Sequence, residues 1–312
     1  MAGFRVLYAN EFIPAAQETY RANKADYTYL DGRDIRQVKA ADIEDAIGRC
    51  GRDIDIFDGS PPCAAFSDVG KREAGWGKVK AYSDTKQRVD DLFFEYARLL
   101  KDLQPRTFIA ENVSGLVKGT AKGYFLEILA ALKASGYRVK ARVLDAQWLG
   151  VPQSRSRLIF VGVRDDIDLE PVHPKPWQYR YTVREALTGV VNSPQDIDEA
   201  SAARYAIGKE LERMSPGAKS TKYFQLMRAP WDDVAGCITQ KAGDLTAASV
   251  AHPERIGKFT VPELKRICSF PDDYILTGDY GRMVERMGRA VPPLMMKAIA
   301  ESLYKEVLCR MS

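Results

Sequence analysis

An open, mostly parallel α/β sheet followed by a smaller loop-rich domain is the architecture that this 312-residue sequence predicts. Three observations point there. Short β-branched or apolar runs, FRVLYANE (4–11), DIDIFDGSPP (53–62) and TFIAENVSG (107–115), each stop at a polar or small-residue turn, as strands do when functional loops sit at their C-terminal ends. Between them, PAAQETYRAN (14–23) and VDDLFFEYARLLKDL (89–103) carry apolar residues at helical spacing, and strand alternating with helix means a parallel sheet. Beyond about residue 170 the pattern weakens, with Pro171, Pro174, Pro176, Pro216, Gly217 and Pro230 set among basic and aromatic residues.

The remaining elements follow in order. GYFLEILAALKASG (123–136) reads as a helix ended by Gly136, and YRVKARVLDA alternates before RLIFVGVRDD, which predicts an antiparallel hairpin at the sheet edge. The sheet domain is expected over 1–170, the loop-rich domain over 171–250, and a returning segment over 251–312. In that last segment, AVPPLMMKAIAESLYKEVL (290–308) reads as an amphipathic helix introduced by Pro292 and Pro293 that packs back on the first domain.

Composition sets limits. With 46% hydrophobic and 28% charged residues the chain can bury a sizeable core. No apolar run approaches the ~18 residues of a membrane helix, and MAGFRVLYANEF lacks a basic-then-apolar layout, so a cytoplasmic, nucleoid-associated protein without membrane contact is expected. The net charge of +4 suits nucleic acid but equally many metabolic enzymes. The five cysteines (Cys50, Cys63, Cys237, Cys268, Cys309) form no CxxC pair, which argues for reduced thiols rather than a disulfide framework or zinc cage.

One cysteine stands apart. In FDGSPPCAAFSDVGKR, Cys63 follows a buried strand behind two prolines that stiffen the turn; taken alone it would read as a core cysteine. ENV at 111–113 follows the next strand and brings Glu111 to the same edge of the sheet, although a lone Glu there could equally cap a helix. In VPQSRSRLIFVGV, Gln153, Arg155 and Arg157 alternate on one strand face and could converge on an anion, or else form a solvated edge.

The order SPPC, FIAENV, PQSRSRLIFVGV, HPERIGKFTVPELKRICSFPDDY and MGRAVPP strongly resembles the cytosine-C5 DNA methyltransferase family, from about residue 3 to residue 303. The resemblance implies a Rossmann-like, S-adenosylmethionine-dependent sheet with a target-recognition domain, acting on double-stranded DNA. Carbon 5 of cytosine is a weak nucleophile, so a thiolate must first add at C6, and Cys63 would do this. Glu111 would protonate or hydrogen-bond N3, while Arg155 and Arg157 would stabilise the thiolate and fix the base. The cofactor would be held by Glu11, Asp34, Ile35, Pro61, Ala290 and Val291. DNA contacts would come from Gln153 and from the glycine-containing loop after Cys63, with Ser67, Lys71 and Arg72, which would close over a flipped base. Specificity is expected from Arg180, Arg184, Lys219, Lys222, Tyr223, Gln225 and Arg228.

The sequence departs from the family in three places. The FxGxG-type turn and its strand, which hold the methionine part of the cofactor, are not found ahead of FRVLYANE. The missing strand belongs in mid-sheet, so its two neighbours should lack ladder partners. Truncation is the favoured explanation, beside a second chain that supplies the strand and a decayed relative that no longer binds cofactor; a protein that binds DNA without turnover is the rival reading. Ala64 replaces the usual Gln, and Arg289 the usual Asn. A zinc deaminase is a poor rival: His252-Pro253-Glu254 follows rather than precedes Pro62-Cys63, residue 66 is Phe, and only His173 and His252 remain, so no metal site is expected. RNA as a substrate stays open.

Overall fold

A computed structural model describes residues 1–62, 91–119, 121–241 and 249–311, together with the backbone of 80–82 and 85–87. The chain divides into two compact units. One, the sheet unit, comprises 2–144, 156–174 and 299–312; the other, the loop-rich unit, comprises 145–155 and 175–298 with Met1.

In the sheet unit, β1 (Tyr8–Asn10), α1 (Pro14–Asn23), β2 (Tyr29–Asp31), α2 (Ala40–Ile47) and β3 (Ile56–Gly59) are followed by a short antiparallel pair, β4 (Lys80–Tyr82) and β5 (Thr85–Gln87). Then come α3 (Leu92–Leu103), β6 (Thr107–Val113), α4 (Ala121–Ala134), β7 (Tyr137–Asp145) and β8 (Ser156–Arg164). The main sheet has the order β3-β6-β8-β7, with β3 parallel and β8 antiparallel to β6. Strand β1 pairs in parallel with β2 as a separate two-stranded sheet. Among the described residues no ladder joins β1 to β3, although Tyr8 of β1 and Phe57 of β3 pack on one apolar cluster, Val38, Ile43, Leu99 and Leu103.

The core explains why β6 and β8 read as continuous apolar runs. Phe108 and Ala110 of β6 and Leu158 and Phe160 of β8 pack under Tyr96, Leu100, Ile128 and Leu132 of α3 and α4. The alternate residues Ile109, Ile159, Val161 and Val163 are buried as well, so both strands are covered on both faces. The Tyr96 hydroxyl lies 3.0 Å from the Phe57 carbonyl and 3.1 Å from that of Ile109, tying β3 to β6 from the helix side. Gly59 is required beneath it, since a methyl group there would sit 2.7 Å from the Tyr96 ring.

The loop-rich unit carries α5 (Val183–Leu187), α6 (Pro194–Ala200), α7 (Ala206–Glu212), β9 (Met227–Arg228), β10 (Val250–Ala251), α8 (Val261–Ile267) and α9 (Tyr280–Arg289). Helix α10 (Pro293–Glu306) starts in this unit and ends in the other. The division differs from the expected boundaries. Residues 251–298 group with 175–250, because Phe259, Leu264, Ile267, Val284 and Met287 share a core with Val183, Ala229, Ile238 and Val250. Short capped helices and two-residue strands fill a stretch whose sequence shows little periodicity; Thr182, Ser193 and Thr260 each form a capping box with an acid three residues on.

The first turn of the fold is latched by charge. Asp31, 3% exposed, accepts from the Tyr8 hydroxyl at 2.7 Å and from Arg33 Nη2 at 2.7 Å, and Asn10 Nδ2 donates to the Arg33 carbonyl at 2.9 Å. The Arg33 guanidinium holds the Asp31 carboxyl down at about 2. A depressed folded value means that its contribution is complete above the unfolded value of about 4 and is lost as pH falls from there through about 2. In urea unfolding followed between pH 5 and 2, Asp31→Asn should therefore flatten the acid-side loss of stability. A second test addresses packing. A methyl group at Gly162 would lie 2.0 Å from the buried Phe108 ring, so Gly162→Ala should lower stability by roughly 1–3 kcal/mol in the same assay.

Candidate functional site

Parallel pairing of β3 with β6, Gly59 opposite Ala110, ends β3 beside the middle of β6, whose last three residues, Glu111 to Val113, run on past it; ENV thus lies within the strand rather than after it. The SPP turn therefore leaves β3 next to Glu111 and Asn112. Asn112, 3% exposed, donates from Nδ2 to the Pro61 carbonyl at 3.2 Å, and its Oδ1 accepts from the Val113 amide at 2.8 Å. This side chain, which the sequence reading passed over in favour of its neighbour, fixes the turn that leads toward residue 63. Its only sequence signal is its place in ENV. Cys63 and the loop residues Ser67, Lys71 and Arg72 lie outside the described residues.

Glu111 and Arg157 come together. In the antiparallel register Glu111 faces Ile159 and Val113 faces Arg157, so the acid and the arginine are diagonal neighbours on one face of the sheet. Arg157 Nε meets Glu111 Oε1 at 2.8 Å, with side chains 17% and 12% exposed. That partial burial makes the pair a fixed one: the carboxylate is oriented at the strand ends and shielded from bulk water, and an acid so placed can form a directed hydrogen bond to a bound base.

Arg155 and Gln153 are placed differently from the expectation. Both belong to the loop-rich unit. Arg155, 2% exposed, donates from Nη1 to the Ile238 carbonyl at 2.9 Å and from Nη2 to the Gly288 carbonyl at 2.7 Å. Gln153, 1% exposed, accepts from the Ile238 amide at 3.0 Å and donates toward the Ile267 carbonyl at 3.4 Å. Ile238 is thus held through both of its backbone polar groups. Gly288 lies flat against that stretch, where a Cβ would come within 2.4 Å of the Thr239 backbone. The periodicity that suggested a shared face stops at residue 156, where the strand begins; 153 and 155 precede it and turn into the interior of the other unit.

The expected cofactor residues fall into two sets. Glu11 follows β1, its Oε1 accepting from the Ile13 amide at 2.8 Å, while its own amide donates to the Asp31 carbonyl at 3.0 Å. Asp34 accepts from the Arg36 amide at 3.0 Å and pairs with the Arg36 guanidinium, which also reaches Asp91 at 2.7 Å. Ile35 packs on the Val38, Ile43, Leu99 cluster. Glu11, Asp34, Ile35 and Pro61 therefore all sit at C-terminal strand ends of the sheet unit, where open α/β sheets bind ligands. Ala290 and Val291, half-buried, belong to the loop-rich unit. A cavity of about 240 Å³ lined by Asp55, Arg106, Leu308 and Met311 lies at the opposite, N-terminal ends of β3 and β6, away from every motif.

Two further side chains are explained by structure alone. His252 Nδ1 accepts from the amides of Glu254 and Arg255 at 3.1 and 2.9 Å, and burial brings its pKa down to about 4. Cys268 is a core thiol pushed up to about 12 by burial. Among the described residues no group of three His, Cys, Asp or Glu is placed to hold a metal, and no helix is long and apolar enough to cross a membrane.

The profile of the C-5 cytosine-specific DNA methylase family matches residues 1–305. Relatives include the type II methyltransferase M1.HphI of Haemophilus parahaemolyticus, 31% identical over 97% of this chain and 82% of its own length. M.MthTI of Methanothermobacter thermautotrophicus is 28% identical over 98% of this chain and 92% of its own. Among solved structures, a protein encoded within an Escherichia coli prophage and described as a DNA modification methyltransferase superposes with a TM-score of 0.77 at 19% identity, covering 98% of this chain and 93% of its own. A DNMT2 variant from Spodoptera frugiperda gives 0.66 at 17% identity, covering 97% and 92%. These likenesses show a shared Rossmann-like methyltransferase fold, and the match along almost the whole sequence places the chain in the C-5 cytosine-specific DNA methylase family: it is a cytosine-C5 DNA methyltransferase by descent and by fold.

Proposed function

We propose that this chain methylates C5 of a flipped cytosine in double-stranded DNA through a covalent Cys63 adduct at C6, with S-adenosylmethionine as donor. The observation that carries the reading is the Glu111–Arg157 pair, fixed at 2.8 Å beside the turn that Asn112 holds through Pro61. The Cys63 thiolate adds at C6 of the base and makes C5 enamine-like. Glu111, oriented by Arg157, hydrogen-bonds or protonates N3 as charge develops there. The bound cofactor supplies an electrophilic methyl group. A base then takes the C5 proton and the thiolate leaves by elimination.

The donor set at the ends of β1 and β2 suits that cofactor: Glu11 offers a carboxylate to vicinal hydroxyls, and Asp34 and Ile35 offer a polar edge and an apolar surface to a purine. Ala290 and Val291 are assigned to the cofactor, and Ser67, Lys71 and Arg72 to the DNA, by resemblance alone. Arg155 supports the reaction as framework, since its guanidinium is committed to the Ile238 and Gly288 carbonyls. A restriction-modification setting fits the type II methyltransferase relatives.

The test is to mix the protein with duplex DNA containing 5-fluorocytosine, with and without S-adenosylmethionine. The expected result is a cofactor-dependent adduct that survives denaturation and vanishes in Cys63→Ser. Folded protein that forms no adduct across mixed-sequence DNA would sink autonomous catalysis. Glu111→Gln should lower the methyl-transfer rate by roughly 10²–10⁴-fold while duplex binding persists, measured by tritium transfer.

A further inference from the structure

The basic residues expected to read DNA are not equivalent in the fold. Arg228, 3% exposed, spends its guanidinium on the carbonyls of Leu211, His252 and Arg255. Arg184 is matched by Asp232 at 2.7 Å and Arg180 by Asp233 at 3.0 Å. What is left is the turn between Lys219 and Met227, which face each other across an antiparallel bridge. From Arg213 to Arg228 the sequence holds four cations and no acid.

This turn is built rigidly. The Ser220 amide donates to the Leu226 carbonyl at 2.8 Å, and Ser220 Oγ accepts from the amides of Lys222 and Tyr223 at 3.0 and 2.9 Å. The same hydroxyl donates to Glu210 Oε1 at 2.6 Å, fastening the turn to α7 and occupying the nearby carboxylate. Leu226 is fully buried, and Tyr223 packs with it on Ile207, Leu211 and Ala251. Phe224, between them, is 78% exposed. Gln225 next to it adopts φ +65°, an uncommon state for a residue with a side chain. A single exposed apolar residue is ordinary. A phenyl ring held in water at the tip of an anchored, strained, acid-free turn, with a lysine and a glutamine beside it, is not.

We propose that this turn is the element with which the chain reads its duplex, a deepening of the function proposed above on which it rests. Phe224 packs on a base or sugar face, as apolar wedges do on DNA; Gln225 presents an amide that matches an adenine edge; Lys222 meets a backbone phosphate. Its anchoring means that little ordering entropy is lost on binding.

The test uses the full chain and a pool of random-sequence duplexes, with bound DNA sequenced and affinities read by anisotropy at several salt concentrations. Phe224→Ala, a surface change that should leave the urea midpoint in place, is expected to weaken the selected duplex about tenfold or more. Gln225→Gly keeps the left-handed backbone and should relax preference at one base pair by roughly 5- to 150-fold. Lys222→Ala should reduce the salt slope by about 1. Affinity and sequence preference unchanged in Phe224→Ala would overturn the proposal, as would a change confined to the oligomeric state. Because binding is read without turnover, selective binding that Phe224→Ala abolishes supports the turn even if no covalent adduct forms. Adduct formation with Phe224→Ala indistinguishable from wild type removes the turn and leaves the catalytic reading standing.

Discussion

The parallel pairing of β3 with β6 is the constraint on which the rest of the sheet unit depends. Gly59 opposite Ala110 ends β3 three residues short of the end of β6, so that the proline turn leaves beside the ENV segment of β6. The pairing is enforced from the helix layer, where the Tyr96 hydroxyl reaches a carbonyl on each strand and the ring occupies the space that a side chain at 59 would need. The turn and the acid are thereby positioned by backbone register, and the antiparallel β6–β8 register adds Arg157, with side-chain contacts adding only the last adjustment.

Arginine serves two physical purposes in this fold. Arg157 lies on a strand of the sheet unit and carries its charge to a carboxylate, giving an oriented pair. Arg155 and Arg228 are nearly sealed, and their guanidinium groups are spent on backbone carbonyls in the loop-rich unit. That unit has short helices and two-residue strands, so many of its carbonyls lack ladder partners, and a fixed fork of five donors is an economical way to satisfy several at once. The cost is that such an arginine is unavailable to a ligand.

The β1–β2 pair, separate from the β3-β6-β8-β7 sheet, is held beside it through the helix layer, by apolar packing together with the Arg36–Asp91 pair and hydrogen bonds from Arg98 of α3 to the Ile35 and Val38 carbonyls. Tyr8 and Phe57 rest on the same cluster beneath α2 and α3, and the β1–β2 pair is internally latched through Asp31, yet among the described residues no ladder crosses from β1 to β3. Hydrophobic contact is non-directional and tolerates such a gap, whereas a hydrogen-bonded ladder needs a strand within about 5 Å. The Glu11 carboxylate is placed next to the latch and the end of β1, whereas that of Asp34 also depends on Arg36 and, through it, on Asp91.

The sequence by itself determined the alternation of strands and helices, the turn chemistry at strand ends, and the acid at 111, because these follow from local periodicity and from residue types that serve few other purposes. The strands at 8–10, 56–59 and 107–113 fall inside the runs that predicted them. Local pattern could not assign Gln153 and Arg155, whose spacing resembles that of Arg157 while their partners lie more than 80 residues away. Nor could it place residues 251–298 in the loop-rich unit, single out Asn112 over Glu111, or separate the sealed Arg228 from the exposed Phe224. Each of those outcomes depends on which distant carbonyl, ring or carboxylate arrives opposite a side chain, and only the tertiary structure decides that.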